Sequence, residues 1–180
     1  MEEISKEHKK EILKRIEEAG DSENYEPFWD EKGIPKSKRK SEIKKGRTAR
    51  AKGAGFELKV RRNLESKGRI VDKWSNNIDL EQGKLVAAKR KYNPFKKMLV
   101  VGTGFPDFIS FKQMHKGAYS IIGVEVKTNG VLSKEEKEKC VWYLKNEIFS
   151  SIWIAKRGEK RGEILYDDFK EKYGKKYFRD

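Results

Sequence analysis

Two apolar runs carry charge where a buried strand normally carries none. Pro106-Asp107 opens the run Phe108–Phe111, and the run Ile121–Lys127 holds Glu125 and Lys127 two residues apart, flanking Val126. Residues two apart on a strand share a face, so Glu125 and Lys127 point one way while Val124 and Val126 point into a core. A carboxylate and an ammonium on one face of a hydrophobic strand lower stability unless something pairs with them or uses them. If Asp107 lies beside them, the three side chains have the parts to hold a divalent cation and to set a water against a phosphodiester. The alternative is a plain ion pair on an edge strand, with Asp107 a turn residue after Pro106.

The charge of the rest of the chain narrows the partners. Hydrophobic residues make up 36% and charged residues 40%, which is apolar-poor, so part of the chain is expected to be extension rather than core. The net charge is +14, and Lys36–Arg62 holds twelve Lys and Arg against two acids. One basic segment points to a polyanion, most simply nucleic acid. Lys38, Arg39, Lys40, Lys44, Lys45, Arg47, Arg50 and Lys52 are the candidate DNA contacts, giving salt-dependent affinity without sequence readout; the alternative is a solvated linker. Lys89, Arg90, Lys91, Lys96 and Lys97 form a second basic cluster around Tyr92 and Phe95. No apolar stretch approaches the roughly 20 residues that span a bilayer, and a soluble, cytoplasmic protein with no membrane partner is expected. One cysteine, Cys140, excludes an internal disulfide and a zinc ribbon, and two histidines are too few for a His-metal site.

The pattern of elements predicts an N-terminal helix from Glu2 to Ala19, then a polar linker from Asp21 to Lys45 with an aromatic anchor at Phe28-Trp29. The division expected is 1–45 for this extension and 46–180 for a main domain. Phe56, Val60 and Leu64 recur at helical spacing and Gly68 closes that helix. Glu57 falls at the edge of its buried face. Strands are expected at 69–74, 84–88, 98–101, 108–111, 121–127, 151–156 and 164–166, with a turn over 112–118. A helix begins after Ser133, whose capping box with Glu136 accounts for that glutamate without a catalytic role. Cys140, Val141, Leu144 and Ile148 are expected on its buried side. A terminal helix covers 167–173. This order predicts an α/β arrangement, a mixed sheet flanked by helices.

Pro106-Asp107 followed by Glu125-Val126-Lys127 resembles the motif of the PD-(D/E)xK nucleases. Lys52-Gly53-Ala54-Gly55-Phe56-Glu57 is similar to the start of the glutamate-bearing helix in archaeal Holliday junction resolvases. Leu132-Ser133-Lys134-Glu135-Glu136-Lys137 resembles the Leu-Ser-x-Glu-Gln-Lys stretch of VRR-type nucleases, with Glu136 in place of the glutamine. The resemblance runs from about Gly53 to Lys156. It implies a restriction-endonuclease-like core with an N-terminal helical extension. It also implies a metal-dependent endodeoxyribonuclease that uses Mg2+, with Mn2+ able to substitute.

On that reading Asp107 and Glu125 are the main ligands and Glu57 binds the cation directly or through water. The resemblance adds the Val126 carbonyl as a further ligand. Lys127 orients the nucleophile and offsets charge. A structure-selective enzyme acting on duplex or branched DNA is expected, and the resemblance implies a homodimer. The alternatives are a sequence-specific restriction-type endonuclease, an RNA-directed nuclease, and a DNA-binding module of nuclease-like fold without turnover. There are 49 residues between Glu57 and Asp107, more than a helix and one strand need, so 76–101 is an insertion that either selects substrate, forms a dimer contact or is a surface hairpin.

Overall fold

The computed structural model describes residues 6–30, 33–88, 90–93, 98–101 and 104–178, with the side chains of His8, 90–93 and 98–101 left aside. The chain divides into two compact units, Met1–Ala54 and Gly55–Asp180, against the boundary at 45/46 expected from the sequence.

In the first unit, helix α1 (Lys6–Gly20) precedes strands β1 (Tyr25–Trp29) and β2 (Pro35–Arg39). The two strands form an antiparallel hairpin running from Tyr25 opposite Arg39 to Trp29 opposite Pro35. Asp30 anchors its turn: the Ile34 amide donates to Asp30 Oδ1 at 2.9 Å, and Gly33 takes a φ of +75°. Helix α2 (Lys40–Ser66) follows at once. The stretch expected to be a polar linker is therefore a hairpin and the first turns of a helix. Phe28 and Trp29 do not anchor it, being 43% and 72% exposed.

In the second unit, the last turns of α2 bury Phe56, Val60 and Leu64. The helix ends as the glycine requires: Gly68 sits at φ +73° and its amide donates to the Glu65 carbonyl. There follow β3 (Ile70–Lys73), β4 (Asn76–Asp79), β5 (Lys84–Ala87), β6 (Arg90–Asn93), β7 (Met98–Val101), β8 (Phe108–His115) and β9 (Ala118–Val126). Helix α3 (Lys134–Lys145), β10 (Ser151–Arg157), β11 (Ile164–Asp168) and α4 (Phe169–Tyr177) complete the chain.

The main sheet has five strands in the order β11-β10-β9-β8-β3. Only β9 and β10 are parallel, and α3 makes the crossover between them. The fold is α+β: a mixed sheet flanked by helices. Alternation sorts its side chains into two cores. Phe56, Val60, Leu64, Phe108, Ile122 and Val124 pack on the α2 face. Ile152, Ile154, Cys140, Tyr143, Leu144 and Phe169 pack on the face covered by α3 and α4.

The segment 76–101 forms two small hairpins, β4–β5 and β6–β7. The first is more than surface decoration: Ile78 is buried in the α3-side core, and Trp142 Nε1 donates to the Gly83 carbonyl at 3.0 Å. Two further expectations are corrected. Residues 112–115 extend β8 rather than forming a turn, because their backbones pair with 118–120 although their side chains are exposed. Ile148 lies beyond α3 and is 37% exposed, because Asn146 caps the helix and Phe149 takes the buried position.

Candidate functional site

Pairing of β8 with β9 sets Phe108 opposite Val124, which brings Asp107 beside the last residues of β9. Asp107 and Glu125 then bind each other's strands. The Val126 amide donates to Asp107 Oδ2 at 2.9 Å, and the Asp107 amide donates to Glu125 Oε2 at 3.2 Å. The same register continued by two residues puts Pro106 opposite Val126. A proline has no N–H to give to the Val126 carbonyl, and the Val126 amide has turned to the Asp107 carboxylate instead. Gly123, two residues before Glu125 on the same face, makes room for this approach. A Cβ there would stand 2.8 Å from Pro106 Cγ and 3.1 Å from the Phe149 ring.

Lys127 completes the cluster. Its Nζ lies 3.1 Å from Glu125 Oε1 and 2.6 Å from Glu136 Oε1. Glu136 is held for that contact by the capping box expected at α3: Glu136 Oε2 accepts from the Ser133 amide at 2.8 Å, and its own amide donates to Ser133 Oγ at 3.2 Å. The cap and the ion pair use different oxygens of one carboxylate. The turn between them is short, with the Gly130 amide donating to the Lys127 carbonyl at 2.8 Å.

Burial sets the electrostatics. Glu125 is 5% exposed, and desolvation, reinforced by the Asp107 charge, pushes it up to about 8. Desolvation also pushes Asp107 up, to about 6, against the pull of the Val126 amide, with the Glu57 charge adding to the rise. Partial burial alone would lower the Lys127 ammonium; its bonds to Glu136 and Glu125 outweigh that and raise it. Glu136 moves down, the bonds from Lys127 and Ser133 outweighing its burial.

Of the four residues proposed to act in catalysis, Asp107, Glu125 and Lys127 are thus in one hydrogen-bonded group. Glu57 contributes at longer range: its charge reaches Asp107, while its carboxylate pairs with Lys73 Nζ at 3.8 Å. Among the described residues no three His, Cys, Asp or Glu side chains gather into a ready-made ion cage. Mg2+ does not need one, since it is usually held by one or two carboxylates and keeps several waters. The donors present are hard oxygens, and two carboxylates, Glu125 buried and Asp107 half-buried, are desolvated enough to raise their pKa values. Asp107, Glu125 and the Val126 carbonyl fit Mg2+ on those grounds, with Glu57 as an outer carboxylate.

Two site residues were missed in the sequence. Lys73 carries no local signal, because only the pairing of Lys73 with Phe108 brings it beside Asp107. The capping box accounts for Glu136 in the sequence, and its contact with Lys127 depends on a turn whose path has no local signal. The candidate DNA contacts lie in the first unit. Lys38 and Arg39 end β2, and Lys40, Lys44, Lys45, Arg47, Arg50 and Lys52 lie on α2, all exposed. Arg39 Nε donates to Tyr25 Oη at 2.9 Å and Lys40 Nζ to the Ser22 carbonyl at 2.8 Å, so these two are engaged in local structure. Among the described residues no carboxylate pairs with Lys38, Lys44, Lys45, Arg47, Arg50 or Lys52. The side chains of the second basic cluster lie outside the described residues.

Comparison with protein-family models, with curated proteins and with solved structures gave no match to this chain. Among the described residues no helix is long and apolar enough to cross a membrane.

Proposed function

We propose that this chain is a metal-dependent endodeoxyribonuclease of the PD-(D/E)xK type, with Asp107 and Glu125 as the carboxylates that hold Mg2+ or Mn2+. The observation that carries the reading is the adjacent Asp107–Glu125 pair, Glu125 buried and Asp107 half-buried, both members pushed above the ordinary carboxylate range, with Lys127 against one of them. Such a pair is costly to keep unless a cation uses it. The cation, when bound, supplies Lewis-acid activation of water and neutralises charge on a phosphodiester. Asp107 and Glu125 supply its oxygen ligands, and Glu57 adds negative charge at the edge. Lys127, fixed between Glu125 and Glu136, presents its remaining N–H to an attacking water or a phosphate oxygen and offsets developing negative charge.

DNA is the proposed substrate because exposed cations without carboxylate partners gather on β2 and the start of α2, which suits backbone contact without base readout. A preference for branched DNA and a homodimer belong to the same proposal and rest on the resemblance of the motifs.

The test is cleavage of labelled linear duplex, single-stranded and four-way-junction DNA, and of matching RNA, with Mg2+ or Mn2+, by the wild type and Asp107→Ala. Cleavage of DNA by the wild type, with binding but no cleavage by the variant, supports the reading, and the preferred substrate selects its branch. Salt-dependent binding with no cleavage under either metal would overturn it in favour of a non-catalytic DNA-binding module.

A further inference from the structure

On the sheet face opposite Glu125 lies a surface pocket of about 450 Å3, within the roughly 300–1,000 Å3 usual for small-molecule sites. Alternation along β10 and β8 puts Trp153 and Lys112 on this face, and Tyr166 of β11 joins them. The wall is aromatic: the Trp153 and Tyr166 rings lie 5.6 Å apart at 55°. Beside it stand three cations, Lys67, Arg69 and Lys112.

Arg69 is built in rather than draped over the surface. Its Nε donates to Ser110 Oγ at 2.8 Å, and Ser110 is fully buried. Its Nη2 donates to the Ser110 carbonyl at 3.3 Å, and its guanidinium carbon sits 5.2 Å from the Trp153 ring centre. Those bonds leave Nη1 for a ligand. Lys112 Nζ donates to the Lys67 carbonyl at 3.4 Å, and Lys67 Nζ lies 4.6 Å from the Tyr166 ring centre.

Among the described residues none of these three cations forms an ion pair with a carboxylate, so their mutual repulsion is offset only at longer range. Desolvation lowers Arg69 from its ordinary value, as expected of a cation short of negative charge. Two acids also line the pocket. Asp168 is engaged as the N-cap of α4, accepting from the Lys170 and Glu171 amides, and its other oxygen takes the Ser151 hydroxyl. Glu171 is exposed and open to an amino group.

An anion-binding corner, an aromatic wall and an outlying carboxylate acceptor match the three parts of a nucleotide: phosphate, base face and exocyclic amine. We infer that this pocket is a second nucleic-acid site that takes one unpaired nucleotide of a DNA strand, its phosphate on Lys67, Arg69 and Lys112 and its base against Trp153 and Tyr166. The site stands apart from the proposed hydrolysis, and it would operate whether or not the carboxylates cut.

The test uses the full chain in EDTA, where cleavage cannot interfere. Affinity for a 5′-phosphorylated single-stranded oligodeoxynucleotide is measured for the wild type and for Lys67→Ala/Lys112→Ala, a pair of exposed positions that leave the core intact. The variant is expected to melt as the wild type does and to bind about tenfold more weakly. In parallel, deoxyadenosine monophosphate and inorganic phosphate are titrated while the indole N–H signals are followed, with Trp153→Phe identifying the one from Trp153. The nucleotide is expected to shift that signal and to bind at least about tenfold more tightly than phosphate, because only it can stack. Equal strand affinity in wild type and double variant, or equal affinity for nucleotide and phosphate, overturns the proposal; the latter would leave an anion site only.

Discussion

Glu136 serves two structures with its two oxygens, and substitution can separate them. In Glu136→Gln the amide oxygen still accepts from the Ser133 amide, so α3 keeps its cap, but Lys127 loses a counter-charge. The melting temperature is expected to stay near that of the wild type while cleavage falls about 10- to 100-fold from loss of orientation. Because Glu136 helps raise Lys127, the alkaline limit of cleavage should also move to lower pH, which a purely structural residue would not cause. The Asp107–Glu125 pair makes a second prediction. Their folded-state values of about 6 and about 8 lie above the ordinary 3.8 and 4.5. Between those limits the folded chain holds more protons than the unfolded one, so this site's contribution to stability falls as pH rises. In denaturant melts without metal, wild type should lose stability relative to Glu125→Gln from pH 5 to 9. Mg2+ should recover stability at the alkaline end for the wild type only. A pH-independent difference between the two proteins would refute the burial argument.

At the scale of elements, β9 meets Pro106 and Phe149 only because position 123 lacks a Cβ. Gly123→Ala forces apart the Pro106 ring and the strand that carries Glu125, and overpacking of this kind costs about 1–3 kcal/mol. Thermal melts should register that loss, and cleavage should drop beyond what reduced folded population explains, since Asp107 is next to the displaced ring. Ser133→Ala removes the other half of the capping box and is expected to cost about 1 kcal/mol, again read by melting. These elements differ in how legible they were. The cap at Ser133, the Phe56–Val60–Leu64 stripe and the stop at Gly68 depend on neighbours within a few residues, and local pattern exposed them. The β1–β2 hairpin did not show, because both strands are largely exposed and no core face imposes alternation on residues such as Lys36 and Lys38. The outer half of β8 was hidden for the same reason. Asp107, Glu125 and Lys127 stood out as charges in apolar runs; Lys73 carries no such contrast and enters the site through strand register alone.

For the molecule as a whole, charge is divided between two units. If Lys44, Arg47 and Arg50 of the first unit contact phosphates, replacing all three by alanine should weaken duplex binding and reduce the slope of log affinity against log salt by about 2.7. Titration across potassium chloride concentrations reads this directly, and an unchanged slope would remove these residues from the interface. The second unit gathers acids instead: Asp107, Glu125, Glu57 and Glu136, with Lys73 and Lys127 as their ion-paired cations among the described residues, so the cluster turns net negative as pH rises through the raised values of Asp107 and Glu125. A polyanion nearing that cluster meets repulsion, and a divalent cation meets attraction. The two ligands are therefore thermodynamically linked: whatever factor the cation adds to DNA affinity, DNA must add to cation affinity. If the cluster holds a cation and the chain binds DNA as proposed, carboxylates in a chain of net charge +14 would act as a reciprocal checkpoint, admitting the phosphate backbone in proportion to their occupancy by metal.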